Sequence, residues 1–148
     1  MTNKNMKSFQ LDSQLQKDCI VLGELEHSLL LLMNNALLPW FILVPKTDKT
    51  ELYELASDVQ AGVWAEVNAV SKFVKNEFAV DKLNVAAIGN VVKQLHIHVI
   101  GRKHDDFCWP GVVWGRTEKA SYEKVVIDHL MASLDDSLQL KINLADKS

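Results

Sequence analysis

Cysteine is almost absent from this chain: Cys19 and Cys108 are the only two in 148 residues, and they form no CxxC pair. A disulfide framework is therefore excluded, and an intracellular, cytoplasmic protein is expected. An excess of basic charge is missing too, with 16 Lys and Arg against 19 Asp and Glu and a formal net charge of -3. That balance argues against a protein that coats nucleic acid through bulk charge, while leaving room for a small nucleotide in a local basic pocket. No apolar run is long enough to span a bilayer, since residues 29–33 and 37–44 are separated by Asn34-Asn35 and interrupted by Pro39. Residues 1–10 are polar with two lysines, so no secretory signal is expected. Internal repeats, low-complexity linkers and the glycine-rich first turn of a dinucleotide-binding βαβ unit are all missing.

What remains is an ordinary globular composition, 48% hydrophobic and 24% charged. The length suits one domain with a real core, over residues 11–148, preceded by a tail at 1–10. Asp12 is placed to cap a short helix through Leu15. Residues 19–25 and 28–33 read as strands around a tight Glu26-His27 connection. The second is apolar on both faces, as a covered strand should be. Trp40 to Val44 is a third strand, stopped by Pro45. Leu52, Leu55, Val59, Val63, Val67, Val70 and Val74 recur at steps of three and four, which predicts one long helix over 51–78. Glu51, Glu54, Asp58, Glu66, Lys72 and Lys75 supply its wet face. Residues 83–88 and 93–101 read as a strand pair joined at Gly89-Asn90. A Trp/Pro/Gly-rich loop over 104–116 and a final helix over 118–138 complete the chain. The class is α+β, with a mostly antiparallel five-stranded sheet, one long inserted helix and a C-terminal helix.

The chemistry concentrates in Gln94-Leu95-His96-Ile97-His98-Val99-Ile100-Gly101-Arg102. In a strand, a period of two puts Gln94, His96, His98 and Arg102 on one face and Leu95, Ile97 and Val99 on the other. Three readings are open. The histidines can be idle residues on a half-exposed strand. They can be two ligands of a metal, although His27, His104, His129, Asp105 and Asp106 stand in no recognisable spacing to complete the set. Or one imidazole attacks phosphorus while its neighbour and nearby amides hold the phosphate oxygens. Arg102 suits either phosphate or a strand-end salt bridge. Trp109 closes the site, contacts a partner subunit or simply packs its loop, Cys19 reads as a small buried hydrophobe, and nothing beyond His104 would depress the Cys108 thiol.

The order of Asn84, Gly89-Asn90, Gln94-x-His96-x-His98 and Cys108-Trp109-Pro110-Gly111, together with residues 39–45 and 81–84, favours the third reading. It resembles the histidine triad family of nucleotide hydrolases and transferases, particularly a bacterial branch with Gln-x-His-x-His, over about residues 11–115. By that resemblance His96 is the nucleophile, and His98 is the third triad histidine, contacting phosphate. Asn90 stands where the family has the Gln of a Gly-Gln turn, and Asn84 matches an upstream Asn. Asn34 or Asn35 lies near a ribose-contacting residue. Gln94 replaces the first triad histidine, an amide that donates and accepts without titrating. Val91 stands where relatives often carry a hydroxyl.

The resemblance implies attack by His96 on the α-phosphorus of a purine nucleotide derivative or dinucleoside polyphosphate, through a nucleotidyl-histidine intermediate. Amide and imidazolium donors from Asn90 and His98 would then stabilise the phosphoryl oxygens. Imidazole ordinarily titrates near pH 6.5, so the neutral attacking form is available at neutral pH. No metal or other cofactor is needed. A homodimer with edge-to-edge sheets is expected, with no membrane partner and no nucleic acid. The rival readings are a catalytically weak nucleotide-binding or scaffold protein of the same fold, and a metal-dependent hydrolase using His96 and His98.

Overall fold

The computed structural model describes residues 9–138 and 143–144. A short helix α1 (Ser13–Asp18) leads into three successive strands, β1 (Cys19–Glu24), β2 (Ser28–Met33) and β3 (Trp40–Pro45). A single 3₁₀ turn at Leu52–Glu54 precedes the long helix α2 (Ser57–Phe78). Strands β4 (Lys82–Ala86) and β5 (Ile97–Arg102), helix α3 (Lys124–Ser137) and the two-residue strand β6 (Asn143–Leu144) follow. The sheet order is β4-β5-β3-β2-β1-β6, and all five pairings are antiparallel. The expected five-stranded antiparallel sheet is thus present, with β6 added along the outer side of β1.

Local chemistry explains the boundaries. The Asp12 side chain accepts the Gln14 N–H at 2.8 Å and caps α1. The helix runs on to Asp18, past the expected end at Leu15. The apolar period over 51–78 is broken at its start, where residues 52–54 wind into a 3₁₀ turn and Leu55 is extended. At its far end α2 stops on Ala79, a non-glycine residue in the left-handed region at φ 48°. The final helix starts at Lys124, later than the expected 118. Residues before it are tied to the β2–β3 connection: Asn35 bonds to Glu118 and Ala120, and Asn34 to Tyr122.

Both faces of the sheet are covered, which is why β2 and β3 read as apolar throughout. On one face Leu30, Leu32, Phe41, Leu43, Ile97 and Val99 pack against Val63, Val67, Val70, Phe73 and Val74 of α2 and Leu130, Met131 and Leu134 of α3. On the other, Leu31, Trp40, Ile42, Val44 and Ile100 meet Leu15, Leu38, Cys108 and Val113, with Phe9, Leu11 and Trp114 at the margin. Gly101 is required where β5 passes α2, because a Cβ there would lie 2.9 Å from Val74 Cγ1 of that helix, 2.6 Å from Val80 Cγ1 and 2.8 Å from Pro39 Cγ. Glu66 departs from the expected wet face of α2. It is buried, and its Oε2 accepts the His27 N–H at 2.8 Å, closing the β1–β2 turn onto the helix. Of the expected tail, residues 1–8 lie outside the described residues, while Phe9 packs against the second cluster.

Candidate active site

Strand β5 is shorter than its sequence pattern. It begins at Ile97, so Gln94, Leu95 and His96 belong to a connection over residues 87–96, and Gly89-Asn90 is not a two-residue hairpin turn. Along this connection Gly89 adopts φ +68°, and the Gln94 carbonyl is engaged by the His96 ring at 2.6 Å. The alternation survives within β5, where His98 and Arg102 share a face and pair opposite Ala86 and Lys82 of β4.

His96 and His98 come together as expected, with ring centroids 5.0 Å apart, and both are buried. Their hydrogen bonds assign complementary tautomers. The main-chain oxygen of Gln94 can only accept, so His96 Nδ1 carries the proton and Nε2 keeps a free lone pair. Around His98 the logic inverts. Trp40 Nε1–H lies 3.0 Å from His98 Nδ1, and an indole can only donate, so Nδ1 is the acceptor and Nε2 bears the hydrogen. Burial, and after it the neighbouring His96, push the His98 pKa down to about 4. His98 is therefore a neutral donor at neutral pH, and the imidazolium expected from sequence is corrected to an imidazole. Trp114 packs edge-on against His98 at 5.3 Å and against Trp40 at 6.5 Å, completing an apolar collar.

The amides are distributed unevenly. Asn84 pairs with Ile100 across β4 and β5 and shares the His98 face. Its Oδ1 accepts from Arg102 Nη1 at 3.0 Å, so its Nδ2 group is turned away from the guanidinium. Arg102 is almost fully buried and grips Asp106 with two bonds, at 2.7 and 2.9 Å. That pairing holds the Asp106 carboxyl down at about 2. Arg102 is thus the strand-end ion pair, not a free phosphate ligand, and Trp109 lies 5.5 Å from it in a cation–π contact. Asn90 is exposed on the 87–96 connection. Asn34 is not brought to the histidines. The register sets His98 level with Ile42 and Leu31, three residues short of Asn34 and two strands away, and Asn34 Oδ1 accepts the Tyr122 N–H at 2.9 Å. The Gln94 side chain also turns from the histidines, bonding to Gln10 and Asp12.

A cleft of about 570 Å³ borders His96, lined among others by Tyr53, Gly89, Lys93 and Gln94. No group of three or more His, Cys, Asp or Glu among the described residues is arranged to hold a metal ion. The Cys19 thiol is pushed up to about 12 by burial, and Cys108 is raised by burial as well. No helix among the described residues is long and apolar enough to cross a membrane.

Comparison with known families places this geometry. The family model described as the HIT domain matches residues 14–105, the segment that carries both histidines and Asn84. The chain belongs to the histidine triad family. Among solved structures, a histidine triad protein from Marinobacter aquaeolei is 40% identical, with a TM-score of 0.84, covering 89% of this chain and 97% of that one. A histidine triad (HIT) protein from Sinorhizobium meliloti is 37% identical, TM-score 0.86, covering 90% and 100%. One from Bradyrhizobium japonicum is 35% identical, TM-score 0.85, covering 88% and 98%. A search of curated proteins finds no match. Within this HIT domain, sequence reasoning missed Trp40 and Trp114 as neighbours of His98. Trp40 was legible only through register, since it lies two residues from Ile42, which pairs with His98.

Proposed function

We propose that this HIT-domain protein is a nucleotide phosphohydrolase that cleaves at the α-phosphate of a purine nucleotide derivative or a dinucleoside polyphosphate. HIT-domain proteins are generally nucleotide hydrolases or transferases, and the domain supports that broader class. The observation that carries the finer reading is the pair of opposed tautomers: a lone pair free on His96 Nε2, and beside it an N–H on His98 Nε2. One ring is prepared to attack and the other to donate.

In the first step an N–P bond forms at His96 Nε2 as the bond from phosphorus to the leaving oxygen or nitrogen breaks, the leaving group keeping the electron pair and, where it is an amine, taking up a proton from solvent that the later attack by water returns. The imidazole becomes cationic, and its Nδ1–H bond to the Gln94 carbonyl strengthens as it becomes charge-assisted. His98 Nε2–H, with the amide groups of Asn84 and Asn90, donates to the phosphoryl oxygens as charge grows on them. Water then attacks phosphorus, the N–P bond breaks, and a nucleoside monophosphate and a proton leave. Substrate enters as a free small molecule in the cytoplasm. The protein works as a homodimer, for which strand β4 offers a sheet edge flanked by exposed Val85, Ile88 and Val91.

The test is a mass-spectrometric search for a nucleotidyl adduct on His96 after acid quench, with adenosine phosphoramidate and diadenosine polyphosphates as substrates. Turnover and an adduct that both vanish in His96→Ala are expected. Micromolar nucleotide binding without product would instead establish a binding protein, and turnover abolished by a chelator a metal-dependent hydrolase.

A further inference from the structure

We propose that Gln94 is a positioning residue that ties the N-terminal segment to the nucleophile, and that it is a carboxamide because this tie needs a donor and an acceptor side by side. The inference rests on the role assigned to His96 above. Gln94 Oε1 accepts the Asp12 N–H at 2.8 Å, and Gln94 Nε2 donates to the Gln10 carbonyl at 2.9 Å. A carbonyl and the N–H two residues on are the pair that a neighbouring strand would satisfy. The planar amide stands in for that strand, at a point where the ladder of β5 has not yet begun. It does so at every pH, whereas a histidine in this place would lose its acceptor on protonation.

The same residue reaches the chemistry through its main chain. Its carbonyl receives the His96 Nδ1–H, the bond that leaves Nε2 free. One residue thus fixes the segment at 10–12 by its side chain and the nucleophile's tautomer by its backbone. The segment it holds is itself structured. Asp12 caps α1, Leu15 is buried in the cluster that also contains Trp40 and Ile42, and Phe9 and Leu11 pack at its edge. Release of residues 10–12 would therefore loosen both the wall beside His98 and the carbonyl that orients His96. The glutamine that replaces the first triad histidine has, in this chain, a different role. It serves as a structural tie and leaves the chemistry to His96 and His98.

The test compares the full-length wild type with Gln94→Ala, Gln94→Glu and Asp12→Pro, the last deleting the same N–H from the other side at a residue whose φ of −52° suits proline. Asp12→Ala, which removes only the helix cap, is the control. In Gln94→Ala, exchange of the Asp12 amide hydrogen should speed by about tenfold, the size expected for one lost hydrogen bond. Nitrogen-15 NMR should show His96 losing its single Nδ1–H tautomer, and kcat should fall more than KM rises. Gln94→Glu, which keeps the acceptor and sets a carboxylate against the Gln10 carbonyl, should do no better. Asp12→Pro and Gln94→Ala should be non-additive, and Asp12→Ala with Gln94→Ala additive. An Asp12 amide that exchanges at the wild-type rate in Gln94→Ala overturns the proposal, as does lost activity with Asp12 protection and the His96 tautomer both intact. The exchange and tautomer readouts need no substrate, so they decide this point even if the hydrolase reading fails.

Discussion

Trp40→Phe is the sharpest probe of the tautomer argument, because it removes one hydrogen and a ring while keeping an aromatic in a buried site. Trp40 is 9% exposed and its indole N–H is 3.0 Å from His98 Nδ1. A neutral hydrogen bond of this kind is worth about 1 kcal/mol net. Its loss changes the preference for the Nε2–H tautomer about fivefold and raises the His98 pKa by about 0.7, from its starting position near 4. Burial and His96 still act, so the value does not return to that of a free imidazole. The smaller ring also leaves a void, which brings the total loss of stability at pH 7 to about 1–3 kcal/mol.

The sign with pH follows from the same numbers. His98 is depressed in the folded state, so the unfolded chain binds the extra proton. Its contribution to stability is full above about pH 6.5, falls by about 3 kcal/mol as pH drops toward 4, and changes no further below that. In Trp40→Phe that loss shrinks by about 1 kcal/mol, since the protonated ring never had the indole bond to lose. Long-range nitrogen-15 NMR on the histidine rings reads the tautomer and the titration directly, and urea unfolding of both proteins at pH 7 and pH 4 reads the difference. A His98 with the same tautomer and the same titration midpoint in Trp40→Phe would refute the assignment.

Two further substitutions test the frame around the site. Ala79→Gly should stabilise the protein by about 0.5–1 kcal/mol, because Ala79 sits at φ 48° where a Cβ is strained, and thermal melting should rise by about 2 °C. Arg102→Met should cost about 3–5 kcal/mol in urea unfolding, since it leaves the buried Asp106 carboxylate without its partner. By freeing Asn84 Oδ1 it should also weaken nucleotide binding measured by calorimetry, and unchanged affinity would remove Asn84 from the site.

The core was legible because its signals are periodic and local. The apolar run at 28–33 could only be a strand covered on both sides, and the three-and-four spacing from Val59 to Val74 could only be a helix with one buried stripe. Glu66 was misplaced for a related reason: a helical wheel assigns it to the wet side, but the β1–β2 turn folds over that side and brings the His27 N–H to it. Asp12 was legible as a cap because the bond it makes spans two residues. Bonds that span most of the chain leave no such mark, and the contacts from Asn34 and Asn35 to residues 118–122 are of that kind.

The site divides along the same line. A period of two placed His98 and Arg102 on one face correctly, but it also extended the strand back through Gln94, where the backbone has already left the ladder. Nothing in the alternation distinguishes a residue whose carbonyl pairs across a sheet from one whose carbonyl accepts a hydrogen bond from an imidazole two positions on. Yet that difference fixes which ring nitrogen of His96 carries its hydrogen. A His96 inside a regular strand would have its Nδ1 free and its tautomer undetermined. At the mouth of the strand, the unpaired Gln94 carbonyl sets it. The late start of β5 is therefore what leaves Nε2 of His96 free for the proposed attack, and Trp40, reaching across from β3, leaves His98 with its hydrogen on Nε2.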